Sequence, residues 1–207
     1  MPILKWLTRD EDIQKTGKAK YALLNKIKDK IGDARAKARK YNFDQYMFER
    51  QGRVMLNFDF CVEFKEHMYD GASTYHGNYK FQKHYLGSNK VPIMDSDEEI
   101  ECAKAIDSLP NVEYWIRNVS RNRNSFRLPT SSDYFYPDFV ALMKDGRILV
   151  VEYKGEHILT DDDTKEKENI GKLWQKESKG KGVFVMASKR VGGLNVSEQI
   201  RSALGEL

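Results

Sequence analysis

Tyr136-Pro137-Asp138-Phe139 and, beyond a turn, Ile148-Leu149-Val150-Val151-Glu152-Tyr153-Lys154-Gly155 are the stretches whose reading decides the fold. They place a Pro-Asp pair on one predicted strand and a Glu-x-Lys triplet at the end of the next, joined by the turn signal Lys144-Asp145-Gly146-Arg147. Register decides whether the acids meet. A two-residue loop at Asp145-Gly146 sets Asp138 opposite Tyr153 and sends the two carboxylates to opposite faces, because a one-residue slip inverts every side chain. A three-residue loop with Gly146 left-handed, closing a G1 bulge, sets Asp138 opposite Glu152. The sequence reading expects that turn, or a bulge elsewhere in the hairpin.

Two acids and a lysine on one sheet edge suit metal-dependent cleavage of a phosphodiester. A hard cation such as Mg²⁺ takes oxygen ligands and keeps several waters, so one or two carboxylates and a substrate phosphate suffice. Asp138 and Glu152 would supply the carboxylates, with the Tyr153 backbone carbonyl as a further ligand and Mn²⁺ as a substitute ion. Lys154 shares a strand face with Glu152, where an ammonium can orient a water and offset charge on phosphorus. Glu-x-Lys alone carries no signal, since Glu63-Phe64-Lys65 repeats it without a Pro-Asp strand or a glycine turn at hairpin distance.

The 207-residue chain, 40% hydrophobic and 12% aromatic, has room for one good core or a core plus an extension. No apolar run approaches membrane-spanning length, and Met1-Pro2-Ile3-Leu4-Lys5 begins no secretory signal. Cys61 and Cys102 lack a Cys-x-x-Cys partner, which suggests reduced thiols in a cytoplasmic setting and excludes a cysteine-held metal site. His67, His76, His84 and His157 show no paired ligand spacing and read as structural or surface residues.

The net charge of +4 is unevenly spread: Lys15 to Lys40 holds ten basic residues against Asp29 and Asp33. Such an arm suits a polyanion and equally suits a solvated helix face; Leu24, Ile27 and Ile31 give it an apolar stripe. Residues 1–93 read as an extension, with one or two helices from about Glu11 to Tyr46 and an aromatic region from Val54 to Tyr85. Tyr79, Phe81 and Tyr85, interleaved with Lys80 and Lys83, favour packing on the core over stacking on bases. Residues 94–207 read as the core, in the order α-β-β-β-α-β with an added terminal helix.

Asp95 or Ser96 caps the first core helix, whose acidic first turn suits the macrodipole. Glu99 falls in line with Cys102, Ala103 and Ile106 on its apolar stripe, making it a candidate third acid; its alternative role is dipole partner. Strands follow at about 112–119, 134–143 and 148–154, then a helix from Asp162 to Glu177, a strand from Gly182 to Ala187 and a helix from Ser197 to Leu204. Arg117, Arg121, Arg123 and Arg127 suit phosphate and sugar contacts or a solvated loop. Asp161-Asp162-Asp163 reads as a helix cap in preference to a metal site. Lys165, Lys167, Lys172 and Gln175 are candidates for a polar helper.

This helix, three-strand, helix, strand core with Pro137-Asp138 and Glu152-x-Lys154 resembles the PD-(D/E)XK nuclease superfamily. More narrowly, Glu99-x-x-Cys102-Ala103-x-x-Ile106-Asp107, Tyr114-Trp115-Ile116-Arg117-Asn118, Ser125-Phe126-Arg127-Leu128-Pro129, Phe135-Tyr136-Pro137-Asp138-Phe139, Asp145-Gly146-Arg147, Val151-Glu152-Tyr153-Lys154-Gly155 and Gly171-Lys172-Leu173-Trp174 are similar to the C-terminal endonuclease domain of type III restriction enzyme Res subunits. The likeness covers about residues 75–190. It implies a restriction-endonuclease-like α/β core, Mg²⁺-dependent DNA cleavage, and Asp138, Glu152 and Lys154 as the catalytic trio. Res subunits also carry an ATP-driven helicase or translocase and work with a DNA methyltransferase, yet this chain has no Gly-x-x-x-x-Gly-Lys-Ser/Thr. It is therefore either a fragment or a stand-alone chain whose motor lies elsewhere. A DNA-binding or docking module inactive alone, and a repair or defence exonuclease of the same superfamily, are the competing readings. Cutting both strands would suit a homodimer.

Overall fold

The computed structural model describes residues 13–49, 64–155 and 162–207. Contacts divide the chain into two units, Met1–Arg50 and Gln51–Leu207. The described residues of the first unit form a helix, α1 (Ile13–Asp44), that ends in a π-helical turn, Gln45–Glu49. Tyr21, Leu24, Ile27 and Ile31 lie exposed along α1. Among the described residues no helix is long and apolar enough to cross a membrane.

The second unit is a mixed α/β fold. Its elements are α2 (Asp97–Ser108), β1 (Val112–Arg117), β2 (Leu128–Pro129), β3 (Tyr134–Phe135), β4 (Phe139–Met143), β5 (Ile148–Tyr153), α3 (Asp162–Glu177), β6 (Gly182–Ala187) and α4 (Val196–Leu204). The main sheet runs β1-β4-β5-β6, and β2 and β3 form a separate ribbon. β4 is antiparallel to both its neighbours, while β6 lies parallel to β5.

Sheet alternation builds two apolar layers. Phe139, Ala141, Met143, Leu149, Val151, Val183 and Val185 join Cys102, Ala103 and Ile106 of α2 and Ile200 and Leu204 of α4 in one buried cluster. A register shift between Val112 and Tyr114 lets Val112 and Trp115 both enter it. On the other face Trp174 of α3 reaches Gly182, and Phe184 lies over Gly171 at a distance that leaves no room for a Cβ. Phe81 and Val91, assigned from sequence to the extension, belong to the first cluster together with Met94. Residues 64–94 therefore pack with the core unit, and Phe81 packs as expected. Tyr85 stays exposed against Tyr114.

The decisive hairpin has the expected register: Phe139 pairs with Val151, Val140 with Val150, Ala141 with Leu149 and Leu142 with Ile148. Gly146 sits at φ +84°. Its N–H donates to Met143 O at 2.9 Å, and Met143 N–H donates to Arg147 O at 2.8 Å. This is the three-residue loop with a left-handed glycine, and extending its register sets Asp138 opposite Glu152.

Two expected strands prove shorter. The one expected at 134–143 is split between β3 and β4, because Pro137 has no N–H to offer a ladder. The one expected at 112–119 stops at Arg117, where the Asn118 side chain turns to other partners. The helices at 97–108 and 162–177 and the strand at 182–187 fall where the pattern sets them. Ser96, not Asp95, caps α2, accepting from Glu99 N at 3.2 Å.

Candidate functional site

At one end of the sheet, the last residues of β1 and β5 meet the segment entering β4. Asn118 fixes that segment. Its Nδ2 donates to Pro137 O at 2.7 Å and to Phe126 O at 2.9 Å, and its Oδ1 accepts from Phe126 N at 2.9 Å. The backbone N–H of Asn118 donates to Asp138 O at 2.8 Å. Asp138 is thus placed by a buried amide whose bonds are made, and its carboxylate takes up the free end of the ladder: Asp138 Oδ2 accepts from Tyr153 N at 2.8 Å.

Asp138 Oδ1 accepts from Arg117 Nη1 at 2.8 Å. The same guanidinium reaches Glu99 Oε2 at 2.8 Å and Asp95 Oδ2 at 3.3 Å through Nη2. Arg117 lies at the end of β1, 5.3 Å over the Phe139 ring, and is only 8% exposed. Burial acts to lower its pKa, but the charges of Asp138 and Glu99 outweigh that and hold it above the usual arginine value. Burial raises the Glu99 carboxyl, against the opposing pull of Arg117.

Across the hairpin, Glu152 is 4% exposed. Its Oε1 lies 2.7 Å from Lys154 Nζ. Its Oε2 is buried without a hydrogen-bond partner. Burial first, then the charge of Asp138, push the Glu152 carboxyl up to about 8, while Lys154 pulls the other way. Lys154 stays a cation: burial lowers its pKa, but Glu152 and Asp138 more than offset it. Lys167 and Asp163 of α3 act on this face at longer range, and Lys167 pairs with Asp163 at 2.5 Å.

The structure brings together Asp138, Glu152, Lys154 and the Tyr153 backbone at one sheet end, with Glu99 tied in only through Arg117. Among the described residues, no three His, Cys, Asp or Glu side chains gather closely enough to hold a metal by themselves. Arg117 needs a correction: expected as a surface contact to phosphate or sugar, it is buried and committed to carboxylates. Arg121, Arg123 and Arg127 are exposed, Arg121 at φ +59° and Arg127 stacked 4.7 Å over Tyr134. Lys172 and Gln175 lie in the second half of α3, away from Asp163 and Lys167. Lys172 pairs with Glu168 at 2.6 Å, and Gln175 Oε1 accepts from Phe184 N at 2.7 Å.

Asp161, Glu63, Cys61, His157 and the aromatic stretch 54–63 lie outside the described residues. Cys102 is a buried free thiol, pushed up chiefly by burial. An open pocket of about 470 Å³, lined by Tyr79, Glu98, Glu101, Lys104 and Lys189 among others, shares only Tyr153 with the cluster. Sequence reasoning missed Asn118 as a clamp and Asp95 as an ion-pair partner. Asp95 left one signal, an acid directly before the cap of an acidic helix. No protein-family model, curated protein or solved structure matches the chain.

Proposed function

We propose that this sheet end hydrolyses phosphodiester bonds of DNA with the help of one or more divalent metal ions, Mg²⁺ or its substitute Mn²⁺. The observation that carries the reading is the buried, unpartnered Oε2 of Glu152, set opposite Asp138 with Lys154 beside it. An orphaned carboxylate oxygen in a buried setting is costly unless a cation completes it. Asp138 and Glu152 would hold the ion, with the Tyr153 carbonyl and a substrate phosphate filling further positions, as a hard cation that keeps much of its water requires. Bound there, the ion supplies Lewis-acid polarisation of the phosphoryl group.

The protein's own groups do the rest. Lys154 Nζ, held at Glu152 Oε1, is placed to orient an attacking water and to offset negative charge growing on the phosphoryl oxygens. Arg117 and the Tyr153 N–H fix both oxygens of Asp138 without consuming every lone pair. Hydrolysis by in-line attack would leave 5′-phosphate and 3′-hydroxyl ends. The order of elements in the second unit supports a restriction-endonuclease-like core, and the resemblance to Res-subunit endonuclease domains makes a translocase, a methyltransferase and a second copy candidate partners.

Supercoiled-plasmid cleavage tests the reading. With Mg²⁺ or Mn²⁺ the wild type should nick or linearise DNA, and Asp138→Ala and Lys154→Ala should each lose about 100-fold or more. Cleavage that persists in both variants would refute the assignment of the trio. Salt-dependent DNA binding without cleavage would favour the docking-module reading instead.

A further inference from the structure

We propose that Arg117 stands where a second metal ion would otherwise sit, so that the site takes up one divalent ion at Asp138 and Glu152. Glu99 then serves as counter-ion to Arg117 and never as a metal ligand. The inference rests on the metal-dependent reading above and adds to it the number of ions and the assignment of Glu99.

In two-ion phosphodiester sites a carboxylate bridges two cations about 4 Å apart. Here Asp138 and Glu99, from different elements, are bridged by the two terminal nitrogens of one guanidinium, each 2.8 Å from its carboxylate oxygen. That group carries a charge that cannot be lost in a protein and has a fixed fork geometry. It is also tethered: Arg117 ends β1, is buried, and lies over Phe139.

The pattern of hydrogen-bond satisfaction separates the two halves. Glu99 Oε2 has Arg117 and Asp95 N, and both Asp138 oxygens have donors. The fully buried oxygen left without one belongs to Glu152, on the far side of Asp138 from Arg117 in the bonding network. One cation at Asp138 and Glu152 would complete this buried oxygen, while the Glu99 side is already held by Arg117.

Charge balance agrees. With all three ionised, as a bound cation requires, the partly buried acids Glu99 and Asp138 and the buried Glu152 face the cations Arg117 and Lys154, which leaves one negative charge; Asp95 is exposed. One divalent ion and one phosphodiester anion bring the set to neutrality. A second ion would leave two positive charges uncompensated in a poorly hydrated site, an expensive arrangement.

Counting Mn²⁺ by calorimetry and by electron paramagnetic resonance of the free ion, on the full chain without DNA, tests this. The wild type should bind one ion. Glu99→Gln should still bind one, with affinity reduced by less than the tenfold to hundredfold typical of a disturbed supporting group, about tenfold being its limit. Arg117→Met, which leaves Glu99 and Asp138 facing one another without a cation, should bind two, and Glu99→Gln/Arg117→Met should return to one.

Two ions in the wild type would overturn the proposal. So would a folded Arg117→Met variant that binds only one, or a Glu99→Gln variant that loses Mn²⁺ affinity by more than about tenfold. Should Arg117→Met fail to fold by circular dichroism, the wild-type count and Glu99→Gln decide alone. No Mn²⁺ bound by the folded wild type would overturn the metal-dependent reading itself, and this proposal with it.

Discussion

Asp107 and Glu152 are both almost fully buried acids, 3% and 4% exposed, yet the fold treats them differently. Asp107, near the end of α2, accepts from Gln82 N, Lys83 N, Trp115 Nε1 and Tyr79 OH, at 2.8–3.2 Å. It clamps residues 79–83 onto α2 and β1. Glu152 has one partner, Lys154, and one oxygen with none. A carboxylate whose donors are all supplied by the chain is a structural part. One whose second oxygen is left unmet by the chain fits the proposal that a cation completes it.

The largest effect expected from this contrast falls on Asp107. Asp107→Ala strips the acceptor from four donors, two of them backbone N–H groups, and should cost on the order of 3–5 kcal/mol in urea unfolding. Glu152→Gln should change the stability of the metal-free protein by less than about 1 kcal/mol. The Glu152 carboxyl is already pushed towards its neutral form, and an amide resembles that form in shape. A Glu152→Gln loss as large as that of Asp107→Ala would break the comparison, because Glu152 would then be a structural acid.

His84 sharpens it. This residue lies in the Asp107 region, against Trp115 and Tyr69, with Nδ1 bonded to Gly87 O and Nε2 buried without a partner. Burial lowers its pKa from 6.5 to about 4, against the smaller opposing effects of the Gly87 bond and the Asp107 charge. A base depressed in the folded state binds fewer protons there than when unfolded. Its contribution is therefore complete above pH 6.5 and is lost as pH falls towards 4, at up to about 1.4 kcal/mol per pH unit. Unfolding free energies measured across this range should fall less steeply for His84→Phe than for the wild type. Equal slopes would mean that the ring is hydrated in solution, and that an unpartnered atom here does not by itself mark burial.

Much of this architecture was legible in short-range pattern. The Lys144-Asp145-Gly146-Arg147 turn set the register because a left-handed glycine in a three-residue loop fixes the pairing of every residue behind it. Asp138 and Glu152 were therefore placed opposite one another by local geometry. Helix periodicity likewise put Glu99 beside the core. What pattern could not supply was partnership across long separations. Arg117 reads as one more loop arginine until α2 and the start of β4 deliver Glu99 and Asp138 to it. Asp107 finds three of its four donors 24 to 28 residues upstream, in a segment with no regular period. Pro137 reads as lying within one unbroken strand, 134–143, and the Asn118 side chain that holds the actual break in place is visible only in three dimensions.

The most direct test of the account compares Mg²⁺-dependent thermal stabilisation of the wild type, Glu152→Gln and Asp107→Asn. Ligand bound only to the folded state stabilises it by about 2.7 kcal/mol at 100 times its Kd. Tm should rise with Mg²⁺ for the wild type and for any folded Asp107→Asn protein, and should rise little or not at all for Glu152→Gln at the same concentration. An equal rise in all three would place the cation elsewhere and contradict the assignment of the open oxygen on Glu152.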